Sequence, residues 1–230
     1  MIGIKQKVYL IGDCHSTRIY EHHDFNNPYI DLKMWGKAGM SSWVFDPELL
    51  KSKKRFSSKI EHDAHLFPEP ISFDQINDDG LILAWFGYLD VKYLLYKGNS
   101  IDETAYKYIS RLKNNFPNSK IKLIEPHPQF VETMLLEGET HPNLSYKIRQ
   151  EQNKLFCEAL EKYSKEFNLE PIIKQEDIYS ATGLKIFTAK ETVRFEEDKR
   201  LLDGLAPEFR IGIYNLFIKE IYKSLDITVD

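Results

Sequence analysis

Three short apolar runs, each closed by glycine or proline, constrain this chain more than any other feature. Lys7 to Ile11 (KVYLI) stops at Gly12, Leu81 to Phe86 (LILAWF) stops at Gly87, and Lys120 to Ile124 (KIKLI) is halted by Pro126. Runs of this length, rich in β-branched and aromatic residues and bounded by turn formers, predict buried strands. Between them the spacing turns helical. Asp102 to Phe116 repeats through Ala105, Ile109 and Leu112. Tyr146 to Phe167 carries Ile148, Leu155, Ala159 and Tyr163 on one stripe, and Glu208 to Leu225 turns Phe209, Ile213, Leu216, Phe217 and Ile221 inward. Pro171 to Lys174 predicts a further short strand. Ser16 to His23 predicts a helix with Ser16 as candidate cap. Asn26 to Gly39, with Pro28, Gly36 and Gly39, reads as a loop with short elements, and Pro68 and Pro70 break any regular element near them. Strands alternating with amphipathic helices predict a three-layer α/β/α fold with a mainly parallel central sheet. No internal repeat or linker divides the chain, so residues 1–230 are expected to form a single domain.

Composition narrows the function classes. With 230 residues, 42% of them hydrophobic and 29% charged, the chain can bury a large core, which excludes a disordered or fibrous protein. The formal net charge of −4 gives no strong field of either sign, so a duplex-coating nucleic-acid binder is not expected. The run Lys51 to Arg55 reads as a solvated face. No stretch approaches the roughly 18 apolar residues needed to cross a bilayer, and Met1 to Lys7 lacks the apolar core of a signal peptide. Two cysteines, Cys14 and Cys157, cannot make a disulfide framework or a four-thiolate metal site. The expectation is a cytoplasmic protein, with no membrane partner.

In open α/β sheets ligands bind beyond the carboxyl ends of the strands. Two such ends are polar and contain glycine: Gly12-Asp13-Cys14-His15-Ser16 and Gly87-Tyr88-Leu89-Asp90. Gly12 allows a sharp bend. Asp13 can accept backbone N–H bonds and fix the turn. Cys14 falls at a strand-to-helix junction, where free N–H groups and the helix dipole favour an anion and lower a thiol pKa. A small buried cysteine without chemistry fits the same position. Asp90 follows an apolar strand, where a carboxylate is costly unless bonded. Lys92 is an available partner, in a structural ion pair or in a catalytic role.

These residues resemble a known family. Val8 to Ser16 (VYLIGDCHS) and Phe86 to Lys92 (FGYLDVK) are similar to the SGNH, or GDSL-type, hydrolase superfamily, and closest to the SGNH-like branch that reads GDSHS and FGEIDxR in these blocks. Trp35 to Gly39 sits where the block with the oxyanion glycine falls, and Leu202 to Pro207 where D-G-x-H precedes the final helix. The resemblance implies a flavodoxin-like three-layer fold and ester hydrolysis by a nucleophile at the first turn. The nucleophile position holds Cys14, not serine. Gly39 takes the oxyanion position, and Gly87, Tyr88, His15 and Lys92 fall in the blocks that line the substrate cleft. Asp203 stands where the acid that orients the base histidine belongs, but Ala206 replaces that histidine.

Serine without its base loses most of its catalysis. Cysteine depends on it less, since a few per cent of a thiol is ionised near pH 7. His15 or His127, the latter after the third run, could take the base role. Two function classes follow. One is an esterase that deacylates a carbohydrate or other small acylated substrate without a cofactor. The other is a degenerate relative that binds without turnover. A metal-dependent phosphoesterase is a distant third: Asp13-x-His15 fits its opening motif, but Gly87 to Asp90 and Gly98-Asn99-Ser100 lack its bridging aspartate and histidine. His22-His23-Asp24 and His62 to His65 lack further ligands, so no metal is expected. Tyr88, Tyr93 and Tyr96 could line a sugar cleft, with core packing the default for the 30 aromatic residues.

Overall fold

A computed structural model of the chain describes residues 5–13, 16, 19–20, 22–24, 26–36, 42–45, 71–87, 90–91, 99–126, 146–182 and 207–228. Five strands form one sheet: β1 (Gln6–Gly12), β2 (Ile30–Gly36), β3 (Leu81–Trp85), β4 (Lys120–Ile124) and β5 (Glu170–Ile173). The helices bounded within the described residues are α1 (Ile101–Asn115), α2 (Tyr146–Glu166), α3 (Gln175–Thr182) and α4 (Pro207–Ser224). Ser42–Phe45 and Phe73–Gln75 make short 3-10 turns.

Every strand pairing is parallel, in the order β2-β1-β3-β4-β5. The expected α/β/α fold with a mainly parallel sheet is the observed one. A central parallel strand must be apolar on both faces, which is why all five residues of β3 are buried and why its sequence runs without alternation. Tyr9, Ile11, Ile82, Ala84, Ile121 and Leu123 face one layer together with α1 and α2. Val8, Leu10, Leu32, Met34, Leu81, Leu83 and Trp85 face the other, against Ile213, Phe217 and Ile221 of α4.

β2 corrects the reading of residues 26–39 as a loop. Ile30, Leu32 and Met34 are buried while Asp31 and Lys33 are half-buried, the alternation of an edge strand. Pro28 lies before the strand and Gly36 ends it, so both bound the element instead of breaking it. α3 was not anticipated; it follows β5 at once, with Lys174 N–H donating to the Asp177 carboxylate at 3.0 Å. Leu155 is exposed, not on the buried stripe of α2, which runs through Phe156, Ala159, Leu160 and Tyr163. Ser16, Ile19 and Tyr20 are helical, but His22 lies in a turn beyond them. The run Lys51 to Arg55, Pro68, Pro70, Ile148 and Phe209 carry expectations that fall outside the described residues or side chains.

Lys122 is a buried cation in the middle of β4. Its ammonium meets the Glu220 carboxylate of α4 at 2.8 Å and Ser224 Oγ at 3.5 Å, while Lys120 Nζ donates to the Ser224 carbonyl at 2.7 Å. A buried charge persists only with such partners, so this pair fixes the last helix on the sheet.

Candidate functional site

In this strand order the chain leaves β1 towards β2 on one side and returns to β3 on the other. The carboxyl ends of β1 and β3 therefore flank the topological switch point, where a ligand crevice forms in such sheets. Gly12 lies level with Gly36 on one side and Trp85 on the other. A Cβ on Gly12 would stand 1.9 Å from Ser16 Oγ and 2.6 Å from the Trp85 carbonyl oxygen; one on Gly36 would stand 2.0 Å from the Gly12 carbonyl oxygen. Gly12 thus serves close approach, not a left-handed bend: among the described residues the glycines with positive φ are Gly36 and Gly87. Gly87, at φ +125°, passes the chain over Pro126 and Phe156, where a Cβ would lie 2.7 and 2.8 Å from their side chains.

Asp13 follows at once and is buried. Its N–H donates to the Trp85 carbonyl at 3.4 Å, and its own carbonyl accepts from Ser16 N–H at 3.1 Å, closing the turn into the helix. Ser16 Oγ is buried and has no partner among the described residues.

Asp90, a helical residue beyond β3, is fully buried and close enough to Asp13 for the two charges to act on each other. The Ser42 N–H donates to both carboxylate oxygens, at 3.1 and 3.0 Å, and the Ser42 hydroxyl donates to Oδ1. Burial pushes the Asp90 carboxyl up to about 6, the Ser42 donors oppose that shift, and the Asp13 charge adds to it. Among the described residues Ser42 partners Asp90; Lys92 lies outside them. The pair ties the β3 turn to the segment after β2, three residues beyond Gly39.

Tyr108 of α1 packs behind this pair. Its ring stacks on Phe45 at 5.9 Å and 15° and meets Phe86 edge-on. Burial, then the charges of Asp90 and Asp13, push its phenol well up, so the hydroxyl keeps its proton. At the end of β4, Glu125 accepts from Gln175 N–H at 2.7 Å, and its carbonyl accepts from Trp85 Nε1 at 2.9 Å. Burial also raises the Glu125 carboxyl. Cys157, near Gln175 Nε2, has its thiol pushed far up by burial.

The described structure thus brings Asp13, Gly87 and Asp90 to one rim. Cys14, His15, Gly39, Tyr88, Lys92, His127, Asp203 and Ala206 lie outside the described residues. Ser42 and Tyr108 belong to the rim although nothing in the sequence singled them out; Glu125 repeats the signal that marked Asp90, a carboxylate closing an apolar run. His23 is occupied elsewhere, its Nδ1 3.0 Å from the Tyr214 hydroxyl of α4. Among the described residues no group of three or more His, Cys, Asp or Glu is placed to hold a metal ion, and no helix is long and apolar enough to cross a membrane.

No protein-family model matches the sequence, and no curated protein matches it. Solved structures do match. A GDSL-like lipase from Bacteroides thetaiotaomicron superposes with a TM-score of 0.54 at 16% identity, covering 95% of this chain and 89% of that one. The lipase/acylhydrolase from Enterococcus faecalis superposes with a TM-score of 0.52 at 15% identity, covering 95% of this chain and 96% of that one. With its parallel order β2-β1-β3-β4-β5 and its rim at the switch point, the chain has the fold of these GDSL-like lipases and acylhydrolases.

Proposed function

We propose that the chain is an ester hydrolase of the SGNH type that deacylates a carbohydrate, with Cys14 as its nucleophile. The observation that carries this reading is the meeting of Asp13 and Asp90 at the switch point of a fold shared with acylhydrolases. Cys14 follows Asp13 directly in the sequence. In the proposed reaction the Cys14 thiolate attacks the ester carbonyl carbon. The backbone N–H groups of Cys14 and Gly39 stabilise the oxyanion. The C–O bond breaks, the sugar alcohol leaves with a proton, and a thioester remains. Water then cleaves the thioester to a carboxylic acid and the free thiol. His15 or His127 supplies the base, because Ala206 stands where the family places its histidine. Gly87, Tyr88 and Lys92 border the substrate, and Asp90 acts by holding Ser42.

Ala206 also favours a second reading, a binding protein without turnover. One assay decides between them. The wild type is expected to hydrolyse p-nitrophenyl acetate with saturation, and Cys14→Ala or alkylation by iodoacetamide to reduce the rate at least a hundredfold. Equal rates for wild type and Cys14→Ala would establish the binding reading.

A further inference from the structure

Two tyrosines of α4 hold that helix against the connection from β1 to β2. Tyr222 accepts from Asn27 Nδ2 at 2.7 Å, and its ring meets Tyr29 edge-on, with centroids 5.8 Å apart. Tyr214, about two helical turns earlier, meets His23. His23 Nδ1 lies 3.0 Å from the Tyr214 hydroxyl, and the two rings tilt at 59°. The same hydroxyl oxygen accepts from Asp24 N–H at 3.4 Å. The connection is braced from within: His23 N–H donates to the Tyr20 carbonyl at 3.0 Å, and Asn27 N–H to the Asp24 carbonyl at 2.9 Å. His23 is buried.

These contacts locate the protons. The Tyr214 oxygen takes the Asp24 N–H, so the phenol hydrogen goes to His23 Nδ1. Nδ1 is then bare, and the imidazole is neutral with its proton on Nε2. A proton on Nδ1 would set two N–H donors against one phenol oxygen and take the acceptor from the phenol hydrogen. Burial opposes the charged ring, Asp24 and Asp31 favour it, and Lys5 opposes it; the balance holds His23 below the ordinary 6.5. Burial raises the Tyr214 phenol, the Asp24 N–H opposes that shift, and Tyr222 and Asp24 add to it, so Tyr214 keeps its hydrogen. The second half of α4 is held by other means: Tyr222 to Asn27, Glu220 to Lys122 at 2.8 Å, and the Ser224 carbonyl to Lys120 Nζ at 2.7 Å.

We propose that His23 and Tyr214 form an acid-released clasp: a proton taken up at His23 Nδ1 frees the first half of α4 from the β1–β2 connection, while the second half stays docked. The clasp goes beyond the proposed hydrolysis and stands without it. Below the ordinary 6.5 the clasped state binds fewer protons than the released one. The clasp therefore holds above that value and weakens as pH falls, the opposite direction to Asp90.

The test is hydrogen exchange of the full chain by mass spectrometry at pH 7.5 and pH 5.5, corrected for intrinsic rates, comparing residues 207–218 with residues 219–228. Linkage to one proton allows about tenfold per pH unit at most, and acidification is expected to raise opening of the first half at least about threefold over the second. His23→Gln cannot titrate and should abolish this response, whereas His22→Gln should retain it. Tyr214→Phe keeps the ring and should raise opening at pH 7.5 and flatten the pH dependence. If Tyr214→Phe does not fold, the two histidine variants decide, together with NMR titration of the His23 ring in the wild type, expected below 6.5. No acid-driven difference between the halves, a response that survives His23→Gln or is lost in His22→Gln, or a His23 ring that titrates at 6.5 or above would overturn the clasp.

Discussion

Asp90 carries a cost that its surroundings only partly offset. Burial favours its neutral form, while three donor contacts from Ser42 favour the ionised one. The sign of the resulting pH dependence follows from the direction of the shift. The folded-state value of about 6 exceeds the ordinary 3.8, so between these limits the native state binds more protons than the unfolded state. Stability therefore falls as pH rises through this window, by on the order of 3 kcal/mol for a two-unit shift, and levels off above it. In urea unfolding followed from pH 4 to pH 7, Asp90→Asn should erase this component. Ser42→Ala removes a donor that stabilises the charge and should move the upper limit of the window above pH 6. A pH profile identical in wild type and Asp90→Asn would show that Asp90 is not the group responsible. With Cys14 as the proposed nucleophile, the two cysteines should differ in reactivity. Cys157 sits on α2 with its thiol driven up by burial, so iodoacetamide should label Cys14 in the native protein and reach Cys157 only after unfolding, as peptide mapping by mass spectrometry would show. Little of this was legible in the sequence. Asp90 was marked as an isolated carboxylate after an apolar run, but its partner lies 48 positions away, and no local pattern connects Ser42 to it.

At the scale of elements, the chain declared its central strands and hid its edge. KVYLI, LILAWF and KIKLI are continuous because both faces are covered, whereas β2 is written as an alternation that Pro28 and the glycines made look like a loop. The α2 stripe was displaced by one residue, from Leu155 to Phe156, because Ile148, Leu155, Ala159 and Tyr163 satisfy a helical spacing nearly as well as the true face does. The lysine of β4 was legible as a strand residue but not as a buried one, since its partner Glu220 belongs to the last helix. That pairing predicts an asymmetric response. Glu220→Gln leaves Lys122 with an uncompensated charge and should cost about 3 kcal/mol in chemical denaturation. Adding Lys122→Met should restore most of the loss, because an apolar side chain suits the position. A double variant no more stable than Glu220→Gln would show that the ammonium is not the source of the cost.

For the whole molecule, topology decides both where opening begins and where chemistry concentrates. Among the described residues β1, β3 and β4 each have two strand neighbours, while β2 and β5 have one, and β5 is a four-residue strand whose register shifts between Lys122 and Ile124 of its partner. Native-state hydrogen exchange should therefore find the β5 amides opening first and those of β1 and β3 only with global unfolding. Equal protection across the sheet would contradict this order. The fold class was legible because strand and helix periodicities alternate along the chain. The switch point was legible in outline, since it follows from the strand order.

The Ser42 to Asp90 tie also sets a rule for rebuilding this protein. Residues 37–41 are spanned on one side by β2 and on the other by an anchor that belongs to a different crossover. A replacement segment of another length there must still deliver a serine to the same carboxylate, or the carboxylate must be changed with it. Chimeras that exchange only the β2 side with a relative should inherit a stranded acid, whereas those that move both halves of the clasp together keep the acid partnered.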